Sequence, residues 1–255
     1  MHTGFPTNKR LKLLLQTMKK HKIDHALVLA DIELIPKEKT LTNEEILRLI
    51  KPYPQLHLVG KVPFTLCQNP AYIKQIRDSV ESKEMIGIKL YPGYEPFYPN
   101  DPRYNNVYNI CEEFNVPVML HSGDVMEKGN LKYAQPLHID EVASNRPKLK
   151  IIICHMGNPW TLDTAAVTFK NENVYTDMSG LFYQKLDQGM KLFLERKIEE
   201  FVHWNVKGEK LIFGSDWPIS DVGDTIKLIV DDKNLSSKDK KLIFSGNVKK
   251  LFKIE

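Results

Sequence analysis

The chain has 255 residues, 42% of them hydrophobic and 27% charged, with a formal net charge of +4. That balance belongs to a soluble globular protein with a sizeable core, and the length suits one large α/β barrel domain spanning 1–255. The charge is spread thinly, and clusters such as Lys19-Lys20 and 238–241 read as solvated helical surface, which argues against nucleic-acid binding.

In chain order, 8–22 carries apolar residues at 11, 14, 15 and 18, a helical spacing. The apolar run 23–30 reads as a strand. Thr42-Asn43-Glu44-Glu45 opens a helix with a capping box, and 56–62 is a second strand. Asn69-Pro70 opens another helix, with proline in the first turn, before a strand over 85–90. Asp101-Pro102 opens a helix running towards 115. Strands are expected over 116–121, 149–155, 174–178 and 210–213. Helical patterns cover 136–145, 158–170, 185–204 and 221–230. Strict β/α alternation predicts parallel strands joined by helical crossovers. Seven strands are visible where a closed barrel has eight, and the missing one belongs before the helix at 8–22, where His2 stands.

Three runs end on side chains that bind metals. Val116 to His121, Lys150 to His155 and Lys210 to Asp216 are each short, apolar and bounded by Pro, Gly or charge. Such runs read as strands buried on both faces. A (β/α)₈ barrel keeps its chemistry at the carboxyl ends of its strands. Two histidines and an aspartate there suggest a divalent metal. His155 reads either as a site residue or as a structural histidine at a strand-to-helix junction. Lys89, inside the strand 85–90, reads as standing at the strand mouth or pairing with a carboxylate. The segment 91–103 is crowded with Tyr91, Tyr94, Phe97 and Tyr98 among prolines, and would either overhang the site or pack on itself. Asp124, Asp177, Trp160 and Arg103 are further pocket candidates. His21, His25, His57, His138 and His203 read as structural or surface residues.

The segments Gly87 to Pro92, Pro117 to Gly123, Cys154 to Gly157, Phe213 to Pro218 and Ser245 to Phe252 together resemble the metal-dependent hydrolases of the amidohydrolase superfamily, in the amidohydrolase-2 branch. The resemblance implies a TIM-like barrel whose first strand is truncated or missing in this chain. It implies a His-x-His motif at the end of that strand, and His2 matches its second histidine. It further implies a metal set of His2, His121 and Asp216, with His155 lining the site or holding a second metal. Asp216 would also act as proton acceptor, His155 would polarise or protonate substrate, and Lys89 and Tyr91 would bind substrate.

The leading expectation is therefore a hydrolase using a water activated by one divalent metal, zinc or manganese, on an ester, lactone or amide. One alternative is a non-oxidative decarboxylase of the same superfamily. Another is an inactive, truncated barrel that acts as a binding protein. Cys67, Cys111 and Cys154 are odd in number and lack CxxC spacing, which fits a reducing cytoplasm. No apolar stretch approaches the roughly 18 residues of a membrane span, and 1–10 lacks a signal-peptide core. A small-molecule partner is expected, with neither nucleic acid nor membrane. The sheet edges at 23–30 and 210–213 would need cover from a partner subunit, as in a homodimer, or from a rearranged N-terminus.

Overall fold

The computed structural model describes residues 8–32, 40–125, 129–183, 185–204 and 207–255. The helix α1 (Asn8–His21) leads into β1 (Ala26–Leu29), and the alternation continues with α2 (Asn43–Ile50), β2 (Leu56–Lys61), α3 (Pro70–Glu81) and β3 (Met85–Leu90). Next come α4 (Asn105–Phe114), β4 (Val118–Leu120), α5 (Leu137–Asn145), β5 (Ile151–Ile153), α6 (Thr161–Lys170) and β6 (Val174–Asp177). The chain ends with α7 (Gln188–Trp204), β7 (Leu211–Ile212), α8 (Val222–Val230), α9 (Ser237–Lys241) and α10 (Asn247–Phe252). All strands are parallel and pair in sequence order, β1 through β7. The sheet curls into a partial barrel, as expected for a (β/α)₈ fold short of its first strand. His2 and the expected stub before α1 lie outside the described residues.

The local signals act as their chemistry dictates. Thr42 caps α2 through both halves of a capping box. Asn69 caps α3 ahead of Pro70, and Asn115 ends α4 in a left-handed conformation. Several strands are shorter than their apolar runs. The run 149–155 yields only Ile151–Ile153, because after Cys154 the chain enters a tight left-handed turn.

Side chains alternate across each strand. Val28, Leu58, Ile88, Val118 and Ile151 face outwards against helix residues such as Leu14, Ile46, Ile76 and Val107. Leu29, Val59, Met119, Ile152, Tyr175 and Ile212 face inwards and form a separate cluster with Leu251 and Phe252 of α10. The pattern past 230 does not predict α10, yet it fills the barrel floor. Gly87 makes room for it: a Cβ there would sit 3.0 Å from the Phe252 ring.

The same C-terminal segment also reaches the edge at β7. The Phe213 amide donates to the Ile243 carbonyl at 2.9 Å. The Asn247 side-chain amide donates to the carbonyls of Gly208 and Leu211, both at 2.7 Å. The chain thus covers this edge with its own C-terminus. Between β1 and β7 runs a cavity of about 420 Å³, lined largely by apolar residues such as Leu27, Ile212 and Phe252 and reaching Asp177 and Ser179. Among the described residues no helix is long and apolar enough to cross a membrane.

Candidate active site

Two residues beyond the last inward position, six of the seven strands change character. Leu29 is followed by Asp31, Val59 by Lys61, Gly87 by Lys89, Met119 by His121, Ile152 by Cys154 and Tyr175 by Asp177. Lys61, Lys89, His121, Cys154 and Asp177 are buried. The period of a strand therefore places a ring of titratable groups directly above an apolar floor.

Within that ring, His121 and His155 meet at 5.0 Å between ring centroids, edge to face. Gly180 sits between His155 and Asp216: a Cβ on it would lie 2.8 Å from His155 Nδ1 and 2.9 Å from Asp216 Oδ2. Its φ of 63° also favours glycine. Three of the expected residues, from the ends of β4, β5 and β7, are thus brought together.

Hydrogen bonding assigns the tautomers. His121 Nε2 lies 3.0 Å from the Asp124 carbonyl, so it carries the proton and leaves the lone pair on Nδ1. His155 Nδ1 lies 2.9 Å from the Ser179 carbonyl, so it carries the proton and leaves the lone pair on Nε2. Burial, with the repulsion of His155 and Lys89, pushes His121 well below the usual histidine range. Burial pushes His155 down to about 4, against the pull of Asp177. Both imidazoles are therefore neutral at physiological pH, the form that ligates metals.

Asp177 is the hub under His155. Its Oδ1 accepts from the His155 amide at 3.1 Å and from the Ser179 amide at 2.9 Å, and also from the Ser179 hydroxyl. Burial alone would raise this carboxyl, but His155, Ser179 and Lys89 together hold it below the usual carboxylate range. Lys89 is fully buried, and its ammonium donates to Cys154 Sγ at 2.7 Å. Tyr91 is 1% exposed and its hydroxyl donates to the Ala30 carbonyl at 2.6 Å. Both expected substrate contacts thus sit in the wall beneath the histidines.

The loop after β3 packs both on a neighbouring loop and on His121. Phe97 stacks on Phe64 at 4.7 Å, while Tyr94 packs on His121 at 4.6 Å. Two pocket candidates are not brought to this cluster. Arg103 pairs with Asp101 and covers the Phe64 ring, and Trp160 lines a surface cleft with Leu162 and Phe193. Asp124 does join the site, through its carbonyl on His121 and its carboxylate under the Tyr183 hydroxyl at 3.3 Å. Sequence reasoning missed Ser179 and Gly180, which lie past a strand end rather than in a motif. It also missed Asp31 and Lys61, which the two-residue alternation could have found.

The donor set fits a divalent cation in its chemistry: two neutral imidazoles, each with one nitrogen anchored, and a carboxylate. Among the described residues no three such side chains converge as a ready-made cation site, and His2 lies outside them.

The family model described as Amidohydrolase matches residues 19–254. No curated protein matches the chain. An uncharacterised TIM-barrel protein from Bordetella bronchiseptica superposes with a TM-score of 0.77 at 20% identity, over 95% of this chain and 82% of that one. A probable 2-pyrone-4,6-dicarboxylic acid hydrolase from Acinetobacter baumannii gives 0.68 at 18%, over 96% and 89%. A 5-carboxyvanillate decarboxylase from Novosphingobium aromaticivorans, complexed with manganese, gives 0.69 at 16%, over 95% and 80%.

Proposed function

This chain belongs to the amidohydrolase-2 family, and from that premise we propose that it is a divalent-metal-dependent hydrolase acting on a carbonyl substrate. The observation that carries this reading is that His155 meets His121 ring to ring and, across Gly180, comes close to Asp216 at the strand ends. His121 through Nδ1 and Asp216 through its carboxylate would hold the cation, with His2 as the further ligand that the family pattern adds. When bound, the cation supplies Lewis acidity and lowers the pKa of an adjacent water to about 7. Asp216 then accepts the proton released as water attacks. His155, anchored at Nδ1, acts at Nε2 as a second proton carrier. Lys89, deep in the wall, stabilises developing negative charge through a low-dielectric interior.

Five of the six arginines are already paired, which supports a carbonyl rather than a free carboxylate as the recognised group. Arg48, Arg77, Arg103, Arg146 and Arg196 are each engaged by a carboxylate of the surrounding helices and loops. Non-oxidative decarboxylation of an aromatic acid is the second reading. Tyr94 against His121 supports it by offering a flat aromatic shelf.

The test is a panel of lactones, esters, amides and aromatic acids assayed before and after chelation, with zinc or manganese added back. Metal-dependent turnover with incorporation of labelled water supports hydrolysis. Carbon dioxide release without it supports decarboxylation. Turnover that survives complete metal removal overturns both, and neither metal binding nor turnover leaves the reading of a non-catalytic binding protein.

A further inference from the structure

His155 stands on an unusual piece of backbone. His155, Met156 and Gly157 are consecutive left-handed residues, with φ of 61°, 51° and 59°. For the two non-glycine residues this conformation is unfavourable. Such a turn persists only where its surroundings fix it.

What fixes it is a relay from the neighbouring strand. The Ser179 hydroxyl has one hydrogen, and its shortest contact is Asp177 Oδ1, a carboxylate oxygen that can only accept. The hydroxyl oxygen therefore has its lone pairs left for His155 Nδ1, 3.0 Å away. Nδ1 thus faces two acceptors, the Ser179 hydroxyl and the Ser179 carbonyl at 2.9 Å. Asp177 sets both. It orients the hydroxyl, and it holds the Ser179 amide and the His155 amide on the same oxygen. The other oxygen, Oδ2, is buried and makes no hydrogen bond. The hydrogen bonds that hold Asp177 in the interior are thus concentrated on the one oxygen that faces His155 and Ser179.

We infer that Asp177 is a positioning residue: acting through Ser179, it fixes His155 as the Nδ1–H tautomer and so reserves Nε2 for the chemistry. This rests on the reading of His155 as a site residue given above. Asp177 touches neither substrate nor cation in this scheme. Its effect is the one a carboxylate exerts on a histidine ligand or base, passed through one hydroxyl.

The decisive experiment is long-range proton–nitrogen NMR on the full chain with labelled histidine, the His155 signals being assigned by their loss in His155→Gln. The parent shows His155 protonated at Nδ1. In Asp177→Ala the Ser179 hydroxyl is free to donate to Nδ1, and a substantial fraction of the Nε2–H form appears. Asp177→Asn keeps an oxygen for the two amides and restores most of the Nδ1–H form. Once a substrate is found, Asp177→Ala lowers kcat about 10–100-fold with KM little changed, and Asp177→Asn recovers part of the loss. A folded Asp177→Ala that stays wholly Nδ1–H overturns the inference. Should that variant not fold, Ser179→Ala removes the relay atom alone; a smaller shift in the same direction supports the relay, and unchanged tautomer populations overturn it. The spectrum needs neither cation nor substrate. A tautomer that shifts in a chain hydrolysing nothing therefore sinks the proposed reaction and leaves this inference standing.

Discussion

The mouth and the floor of the barrel are built from the same strands two residues apart, and they obey opposite rules. At the floor, Leu29, Val59, Met119, Ile152 and Ile212 close on Leu251 and Phe252, and every contact is apolar. At the mouth, Asp31, Lys61, Lys89, His121 and Asp177 crowd into a space that excludes most water. Burying such groups is unfavourable unless they satisfy one another. The mouth therefore carries strain that the floor has to hold: left-handed residues at His155, Met156 and Asp216, and orphaned oxygens at Asp177 and Glu95. The contrast separates function from stability along each strand, and it can be tested at either end.

The largest effect belongs to the mouth. Asp216→Asn keeps the side chain's size but removes the carboxylate proposed to accept the proton and to hold the cation. Turnover falls by about a thousandfold, equivalent to about 4 kcal/mol of barrier. The melting temperature and far-UV circular dichroism stay close to those of the parent. A variant that unfolds instead would show that the mouth, too, is structural.

At the floor the expectation reverses. Phe252→Ala leaves a hole opposite Gly87, where no side chain can collapse into it, and the loss of stability is about 3–5 kcal/mol. Denaturant unfolding measures it. The His155 tautomer is unaffected in the fraction that remains folded. A loss under about 1 kcal/mol would mean that α10 does not plug the barrel.

How much of this was legible follows the same division. The floor and the strand ends were readable because burial on both faces writes uninterrupted apolar runs, and because His121, His155 and Asp216 each close one. The resemblance supplied their grouping; spacing alone leaves His155 open between ligand and core. The helix α10 was not legible, since Asn247 to Phe252 is too short to show a period and its role depends on the gap at Gly87. Ser179 and Gly180 were invisible for another reason. Their function lies in a hydrogen bond and a missing Cβ, which only the approach of β5, β6 and β7 creates. Lys89 and Tyr91 are instructive in the other direction. Their residue types suggest substrate binding, and only the fold shows that the Lys89 ammonium also reaches Cys154 and the Tyr91 hydroxyl the Ala30 carbonyl.

Glu95, in the loop above β3, gives a smaller effect with a definite sign. Burial pushes its carboxyl up to about 7 from an ordinary 4.5, against the hydrogen bond from the Phe64 amide and the attraction of Lys61. The native state therefore holds a proton here that the unfolded chain has released. Stability is full below the unfolded value of 4.5 and declines as pH rises through about 7. The decline amounts to at most about 3 kcal/mol. Glu95→Gln cannot titrate, so its melting temperature relative to the parent should rise between about pH 5 and about pH 8. A difference that stays flat across that range would show that Glu95 is not buried as a neutral acid.

The smallest effect asks what holds the mouth in place from outside. Asn43, the first residue of α2, clamps the end of β2: its side-chain amide donates to the Lys61 carbonyl and its oxygen accepts from the Lys61 amide, both at 2.9 Å. Thr42 caps that helix. Thr42→Ala removes the side-chain half of the cap and costs about 1 kcal/mol, read as a shift in denaturation midpoint with no change in turnover. If turnover falls as well, the helix start is positioning Lys61 within the site. If neither changes, the Asn43 clamp fixes the strand end alone, and the mouth is held by the strands rather than by the helices around them.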